Sequence, residues 1–207
     1  MNSQSDLATK YNADKGESGH NYIPMYEHWL KNRTVNVLLE IGFGSGASAR
    51  MWREYYPNAD IYVVELFSTE FRETWHNPNT LIDGVNIIAG DATDARTWRD
   101  VTNQVDVLID DGSHNPHDQI STLNLALDKV KSKGLYIIED IYCNFEGEYL
   151  HDDVIFPWLN KLMIAQQNPN SRYLSKDFYF NQQFMSYPSS AIYAYHLYKG
   201  AIVLEKS

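Results

Sequence analysis

The stretch "VNVLLEIGFGSGAS", residues 35–48, changes character at Gly42. Ahead of that glycine, Val, Leu and Ile occupy nearly every position, the pattern of a strand covered on both faces. Behind it, Gly44 and Gly46 follow at alternate positions, and "SARMWREYY" then places Met51, Trp52 and Tyr55 at helical spacing. Strand, glycine turn and helix in that order make one βα unit of a parallel sheet. Glycines in such a turn let the backbone bend tightly and approach a ligand closely.

The same rhythm continues outward. "DIYVVEL" (60–66), "VNIIAGD" (85–91), "VDVLIDD" (105–111) and "LYIIED" (135–140) are further Val- and Ile-rich runs, each carrying an acid at or near its end. Between the last two, Ile120, Leu123, Leu127 and Val130 put an apolar stripe on a predicted helix. Right-handed crossovers then give an α/β, Rossmann-like, doubly wound sheet. Beyond residue 141 the pattern differs. A helix is expected within "DDVIFPWLNKLMIAQQ" (152–167), an aromatic, turn-rich stretch runs to Pro188, and "AIYAYHLY" and "AIVLEK" flank Lys199 and Gly200 as a hairpin. The expectation is a mostly parallel seven-stranded sheet with a C-terminal antiparallel hairpin, in a single domain over 1–207, with 1–34 as an N-terminal cap and 145–188 as an insertion.

A chain of 207 residues that is 43% hydrophobic can bury a core of its own. A formal net charge of -10 opposes attraction to nucleic acid or to an anionic membrane surface and favours a small-molecule partner. No apolar leader and no apolar run of about 18 residues occurs, so the chain reads as soluble and cytoplasmic. The lone Cys143 suits a reducing compartment and a structural role.

In an open parallel sheet, ligands sit at the carboxyl ends of the strands, near the point where strand order reverses. Glu65 ends the second strand, 19 residues after Gly46, where an acid accepts hydrogen bonds from ribose hydroxyls. Asp91 ends the third, either to meet an adenine amino group or to cap a helix beginning near Ala95. Glu40 lies within the first strand; buried there, it needs a partner in the cofactor or in the N-terminal segment. "GFGSGA" also fits a dinucleotide fingerprint, so the turn alone leaves a nicotinamide-dependent dehydrogenase open.

The acids ending the fourth and fifth strands discriminate further. "LIDDGSHNPHDQ" (108–119) and "LYIIED" bring Asp110 and Asp111 near Glu139 and Asp140, and crowded carboxylates repel unless a cation compensates them. Oxygen ligands without zinc-type Cys or His spacing favour Mg²⁺. His114, in the turn after Asp111, suits a general base, while His117 starts the next helix and bonds locally. Such a base needs help: a water-like hydroxyl near pKa 15.7 lies roughly 9 units above a histidine, or about 12 kcal/mol. Coordination to a metal narrows that gap.

These residues resemble the class I S-adenosylmethionine (SAM) methyltransferases, and within them the Mg²⁺-dependent sugar O-methyltransferases of the macrocin and mycinamicin type, with their cephalosporin hydroxylase-like relatives. The similarity runs through "NADKGESGHNYIPMYEHWL", "LLEIGFGSGASARMW", "GDATD", "LIDDGSHNPHDQ" and "GLYIIEDIY", about residues 10–145. It implies Asp111, Glu139 and Asp140 as metal ligands and His114 as the base. Gly42, Gly44 and Gly46 fall to the SAM site and Glu65 to its ribose, while Asp14, Lys15, His20 and Tyr22 match an N-terminal element folded over cofactor and substrate; Asp91, Asp110 and Glu40 are further candidates for contact with the cofactor. Two departures stand out. Asp118-Gln119 occupies the place of the family's His-Gln, with His117 one position earlier, and residues 145–188, where the acceptor pocket belongs, have no match. Tyr149, Phe156, Trp158, Tyr173, Phe178, Tyr179 and Phe184 in that region would stack on a saccharide acceptor, fill a core, or join copies in a homo-oligomer.

The expectation is therefore a SAM- and Mg²⁺-dependent O-methyltransferase acting on a sugar or other vicinal diol. Its rivals are a catechol-type O-methyltransferase, the NAD-dependent dehydrogenase and a SAM-binding protein without catalysis.

Overall fold

Each apolar run forms a strand because its side chains alternate between two cores. In β4 (Val105–Asp110), Leu108 enters one core while Val107 and Ile109 enter the other, and in β5 (Val130–Ile138), Tyr136 and Ile138 oppose Leu135 and Ile137. The computed structural model describes residues 2–66, 82–99, 101–102, 104–145, 154–167 and 191–207. With β1 (Val37–Ile41), β2 (Asp60–Glu65), β3 (Val85–Ala89), β6 (Ile192–Tyr198) and β7 (Ala201–Lys206), these strands make one sheet in the order β3-β2-β1-β4-β5-β7-β6. The first five are parallel, and β7 runs antiparallel to both β5 and β6. The mostly parallel sheet and the terminal hairpin are thus as the sequence reads.

Three helices cover one face: α1 (Gln4–Tyr11), α2 (Ile23–Leu30) and α3 (Ala47–Tyr55) supply Leu7, Tyr26, Leu30, Met51 and Trp52 to a core with Leu38, Ile61, Val107 and Ile137. α4 (Pro116–Ala126) and α5 (Ile155–Gln167) cover the other, burying Ile120, Leu123, Trp158 and Leu162 against Leu39, Leu108 and Tyr136. α1 begins with a capping box in which Ser3 and Asp6 satisfy each other's backbone N–H groups. α4 begins at Asn115, whose side chain accepts from His117 N at 2.9 Å, and Pro116 occupies the first turn, where no N–H is needed. No helix among the described residues is long and apolar enough to cross a membrane.

Two local expectations are corrected. Val130 is not on a helical stripe: α4 gives way to a 3₁₀ turn at Leu127–Lys129, and Val130 opens β5 opposite Val105. An apolar residue three after Leu127 satisfies both patterns, and the sheet register takes it. No helix starts near Ala95 either. Residues 92–99 form successive turns, and Asp91 Oδ1 accepts from Thr93 N at 2.8 Å and from Thr93 Oγ1 at 2.7 Å.

Candidate active site

The ladder continues one residue beyond the strands, which is how the site is assembled. Gly42 N donates to Val64 O, Asp111 N to Ile41 O and Glu139 N to Asp110 O, at 2.9, 3.1 and 2.9 Å. Gly42, Asp111 and Glu139 therefore stand side by side across adjacent strand ends, separated by roughly the 4.8 Å of strand spacing. The reversal of strand order falls here, between β1 and β4. Gly42, at φ +93°, is indispensable to this packing: a Cβ would lie 2.1 Å from the carbonyl oxygen of Asp111.

A cavity of about 530 Å³ opens at these ends. Gly42, Gly44, Glu65, Asp91, Asp110, Asp111 and His114 line it together with Asn12, Asp14 and Gln119 from the N-terminal loop and α4. Glu65 is fixed by the backbone N–H of Phe43, which donates to its Oε2 at 2.5 Å. Asp110 is buried and accepts from Tyr136 Oη at 3.2 Å; burial pushes its carboxyl up to about 7 against the downward pull of Tyr136 and of the Gly112 N–H. Glu40, Lys15, Gly46, His20 and Tyr22, expected at the cofactor, are not among the lining residues. Gly46 starts α3 behind the Phe43 ring, and the other four form the layer described next.

Four acids at two strand ends were expected to crowd one space, but the period of two splits them. Asp111 and Glu139 share the face of Ile109 and Ile137 and meet the N-terminal segment, whereas Asp110 shares the opposite face with Leu108. On the N-terminal side lies Lys15, wholly buried. Its Nζ donates to Asp111 Oδ2 at 2.6 Å and to Glu139 Oε2 at 2.7 Å, and stands 3.4 Å from Glu40 Oε1. Burial works against the Lys15 charge, but Asp111, Glu139 and Glu40 more than offset it and hold the ammonium well above its usual range. Glu139, expected as a metal ligand, also accepts from Tyr26 Oη, so both its oxygens are engaged; burial pushes its carboxyl up. Glu40 finds the N-terminal partner foreseen for it, and Ser48 Oγ donates to it at 2.5 Å; burial raises it too, opposed by Lys15.

Asp140 escapes the alternation because its φ is +56°, and His114 is likewise left-handed at +58°. Asp140 thereby returns to the N-terminal side, where Tyr22 Oη donates to its Oδ1 at 2.6 Å and His20 Nδ1 stands 3.7 Å away. His114 Nε2 lies 3.6 Å from Asp140 Oδ2. Ligand atoms of Asp111, His114 and Asp140 lie within 4.8 Å of one another. Two carboxylates and an imidazole at that spacing suit a divalent cation, and His114 Nδ1 is a buried polar atom without a hydrogen bond among the described residues. The expected ligand pair Asp111 and Asp140 is thus brought together, with His114 beside it and Glu139 turned aside to Lys15.

Tyr26, Tyr142 and Gln119 escaped the sequence reading. Tyr26 lies one helical turn after Tyr22 on α2, a spacing of four that would have revealed it. Tyr142 Oη lies 3.3 Å from His20 Nδ1. Gln119 Nε2 donates to Glu139 O at 2.9 Å, leaving Oε1 buried without a partner among the described residues. Of the aromatic candidates, Trp158 is a core residue and Phe156 packs against the same core; Tyr149, Tyr173, Phe178, Tyr179 and Phe184 lie outside the described residues.

A family model described as a methyltransferase domain matches residues 39–141. An 8-demethyl-8-(2-methoxy-alpha-L-rhamnosyl)-tetracenomycin-C 3'-O-methyltransferase of Streptomyces olivaceus is 31% identical over 149 residues, 66% of this chain and 36% of that protein. The mycinamicin VI 2''-O-methyltransferase of Micromonospora griseorubida is 30% identical over 67% of this chain and 36% of its own length. The chain therefore spans little more than a third of these relatives. The MycE methyltransferase of the mycinamycin biosynthetic pathway, solved with Mg, SAH and mycinamycin VI, shares the fold with a TM-score of 0.75 at 24% identity, over 100% of this chain and 55% of that one. Taken with the glycine turn, the cavity at the strand reversal and the terminal hairpin, the match marks residues 39–141 of this chain as a methyltransferase domain.

Proposed function

We propose that this chain is a SAM-dependent, Mg²⁺-assisted O-methyltransferase that acts in the cytoplasm on a hydroxyl of a sugar or other vicinal diol. One observation carries the reading: a single cavity joins Glu65 and Asp91, suited to a nucleoside, to Asp111 and His114, suited to a cation and a proton. Relatives that methylate sugar hydroxyls, and a fold neighbour solved with Mg and SAH, support it.

Glu65 and Asp91 would receive the ribose and adenine of the methyl donor, with Gly42 and Gly44 keeping the turn free of side chains. Asp111 and Asp140 are the residues that would hold the cation, with His114 beside them as the base. A bound divalent ion supplies the Lewis acidity that brings an alcohol within reach of a histidine base. His114 Nε2 takes the hydroxyl proton, and Asp140 Oδ2, 3.6 Å away, stabilises the imidazolium. A bound methyl donor would supply a sulfonium methyl to the acceptor oxygen, with the electron pair of the broken carbon–sulfur bond left on sulfur. Residues 1–34 serve as a cap that closes the carboxyl ends of β1, β4 and β5 from the α2 side through Lys15, Tyr22 and Tyr26.

Calorimetric titration of SAM with and without Mg²⁺, followed by methyl-transfer assays on saccharide acceptors, tests the reading. Asp111→Ala and His114→Ala should each lower turnover at least about 100-fold. Unchanged transfer in both variants defeats it.

A further inference from the structure

Lys15 is the most enclosed charge among the described residues: its side chain has no exposure, and its three ammonium protons face three carboxylates from three neighbouring strand ends. The backbone around it is locked as well. Tyr22 N and Ile23 N both donate to Lys15 O, at 2.9 and 3.2 Å, and His20 N donates to Asp14 O at 2.7 Å. Neither the glycine turn nor the proton transfer requires this lysine.

Its partners connect it to the cation cluster. Asp111 offers Oδ2 to Lys15, yet the same carboxylate belongs to the Asp111, His114 and Asp140 group. Glu139, adjacent in sequence to Asp140, is held away from that group by Lys15 and Tyr26. A positive charge hydrogen-bonded to a shared ligand repels a second cation and occupies oxygen that the cation would otherwise use.

We propose that Lys15 is an internal cation that competes with the divalent ion for Asp111 and Glu139, making it a positioning residue that weakens metal affinity while keeping the metal-free acids in place. The inference rests on the divalent-ion reading above. Its consequence opposes that of an ordinary structural lysine: removing Lys15 should destabilise the metal-free chain but tighten metal binding. The built-in ammonium lets the buried acids fold without metal, and the ion then binds to an assembled site.

The test is Mn²⁺ binding to the whole, metal-stripped chain, read from the electron paramagnetic resonance of free Mn²⁺. Lys15→Met should lower Kd at least about tenfold relative to the unsubstituted protein. Lys15→Arg, which keeps the charge, should stay within about threefold. Lys15→Met combined with Glu40→Gln removes one acid with the ammonium and protects folding; it should still bind at least about threefold more tightly. An unchanged or weaker Kd in Lys15→Met, or in the double variant if the single one does not fold, overturns the inference and leaves the proposed function standing. Absence of Mn²⁺ binding in the unsubstituted protein and in both lysine-free variants removes the divalent-ion reading and this inference with it.

Discussion

At the scale of single residues, two glycines of one turn carry different burdens. Gly42 and Gly44 both have positive φ, at +93° and +48°, but a Cβ on Gly42 meets the Asp111 carbonyl at 2.1 Å, whereas one on Gly44 meets nothing within 4 Å. Gly42→Ala must separate β1 from the loop after β4, and we expect it to cost about 3 kcal/mol or more. Gly44→Ala carries only the left-handed penalty of about 1 kcal/mol. Urea unfolding of the two variants checks this order, and equal losses would contradict it. The alternating glycines were plain in the sequence, but their unequal roles were not. That difference depends on which backbone crosses behind the turn, a long-range fact that spacing does not encode. The left-handed conformations of His114 and Asp140 were hidden for the same reason: Asp and His adopt a positive φ more often than most residues, but the sequence does not say at which position, and the site depends on both.

At the scale of elements, α2 works as a clamp. Tyr22 at its N-cap and Tyr26 one turn later reach Asp140 and Glu139, the two residues that follow β5. A helix repeat of four thus meets a strand pair of acids, and the left-handed turn at Asp140 keeps both on one side. Tyr26→Phe leaves the buried Glu139 with one donor fewer, and should cost roughly 1–3 kcal/mol in urea unfolding. A loss of a few tenths would show that Lys15 alone satisfies Glu139. The strands of this layer were readable because continuous apolar runs have few alternatives. The join of α4 to β5 was not, since Val130 fits a helical stripe and a strand start equally well until Val105 pairs with it. The acids were expected in one space at adjacent strand ends, and the strand ends are adjacent. Their division between two faces follows from period-two geometry, but Lys15 as the compensating charge comes from a segment 96 residues away from Asp111 and 124 from Glu139.

At the scale of the whole molecule, the sheet order turns separate motifs into one crevice. β1 and β4 are neighbours only because the chain runs outward through β2 to β3 and returns, so "GFGSG" and "DDGSH" face each other across the reversal. The βα rhythm made this topology legible, since right-handed crossovers leave few other arrangements. The acceptor side is different: an aromatic-rich stretch has no periodicity that separates a sugar platform from a core, and Trp158 proves to be core. The crevice also separates methyl transfer from the nicotinamide alternative allowed by the glycine turn. If the cavity takes an adenosyl sulfur donor, its product S-adenosylhomocysteine must bind the folded chain and not the unfolded one. At a ligand concentration about 100 times Kd, that linkage adds about 2.7 kcal/mol, or roughly 5–10 °C in Tm for a domain of this size. NADH at the same concentration should leave Tm unchanged, because the acids at β4 and β5 offer no partner for a second phosphate-bearing nucleotide. Thermal unfolding in the two ligands decides between them: a shift with NADH and none with S-adenosylhomocysteine would assign the glycine turn to hydride transfer.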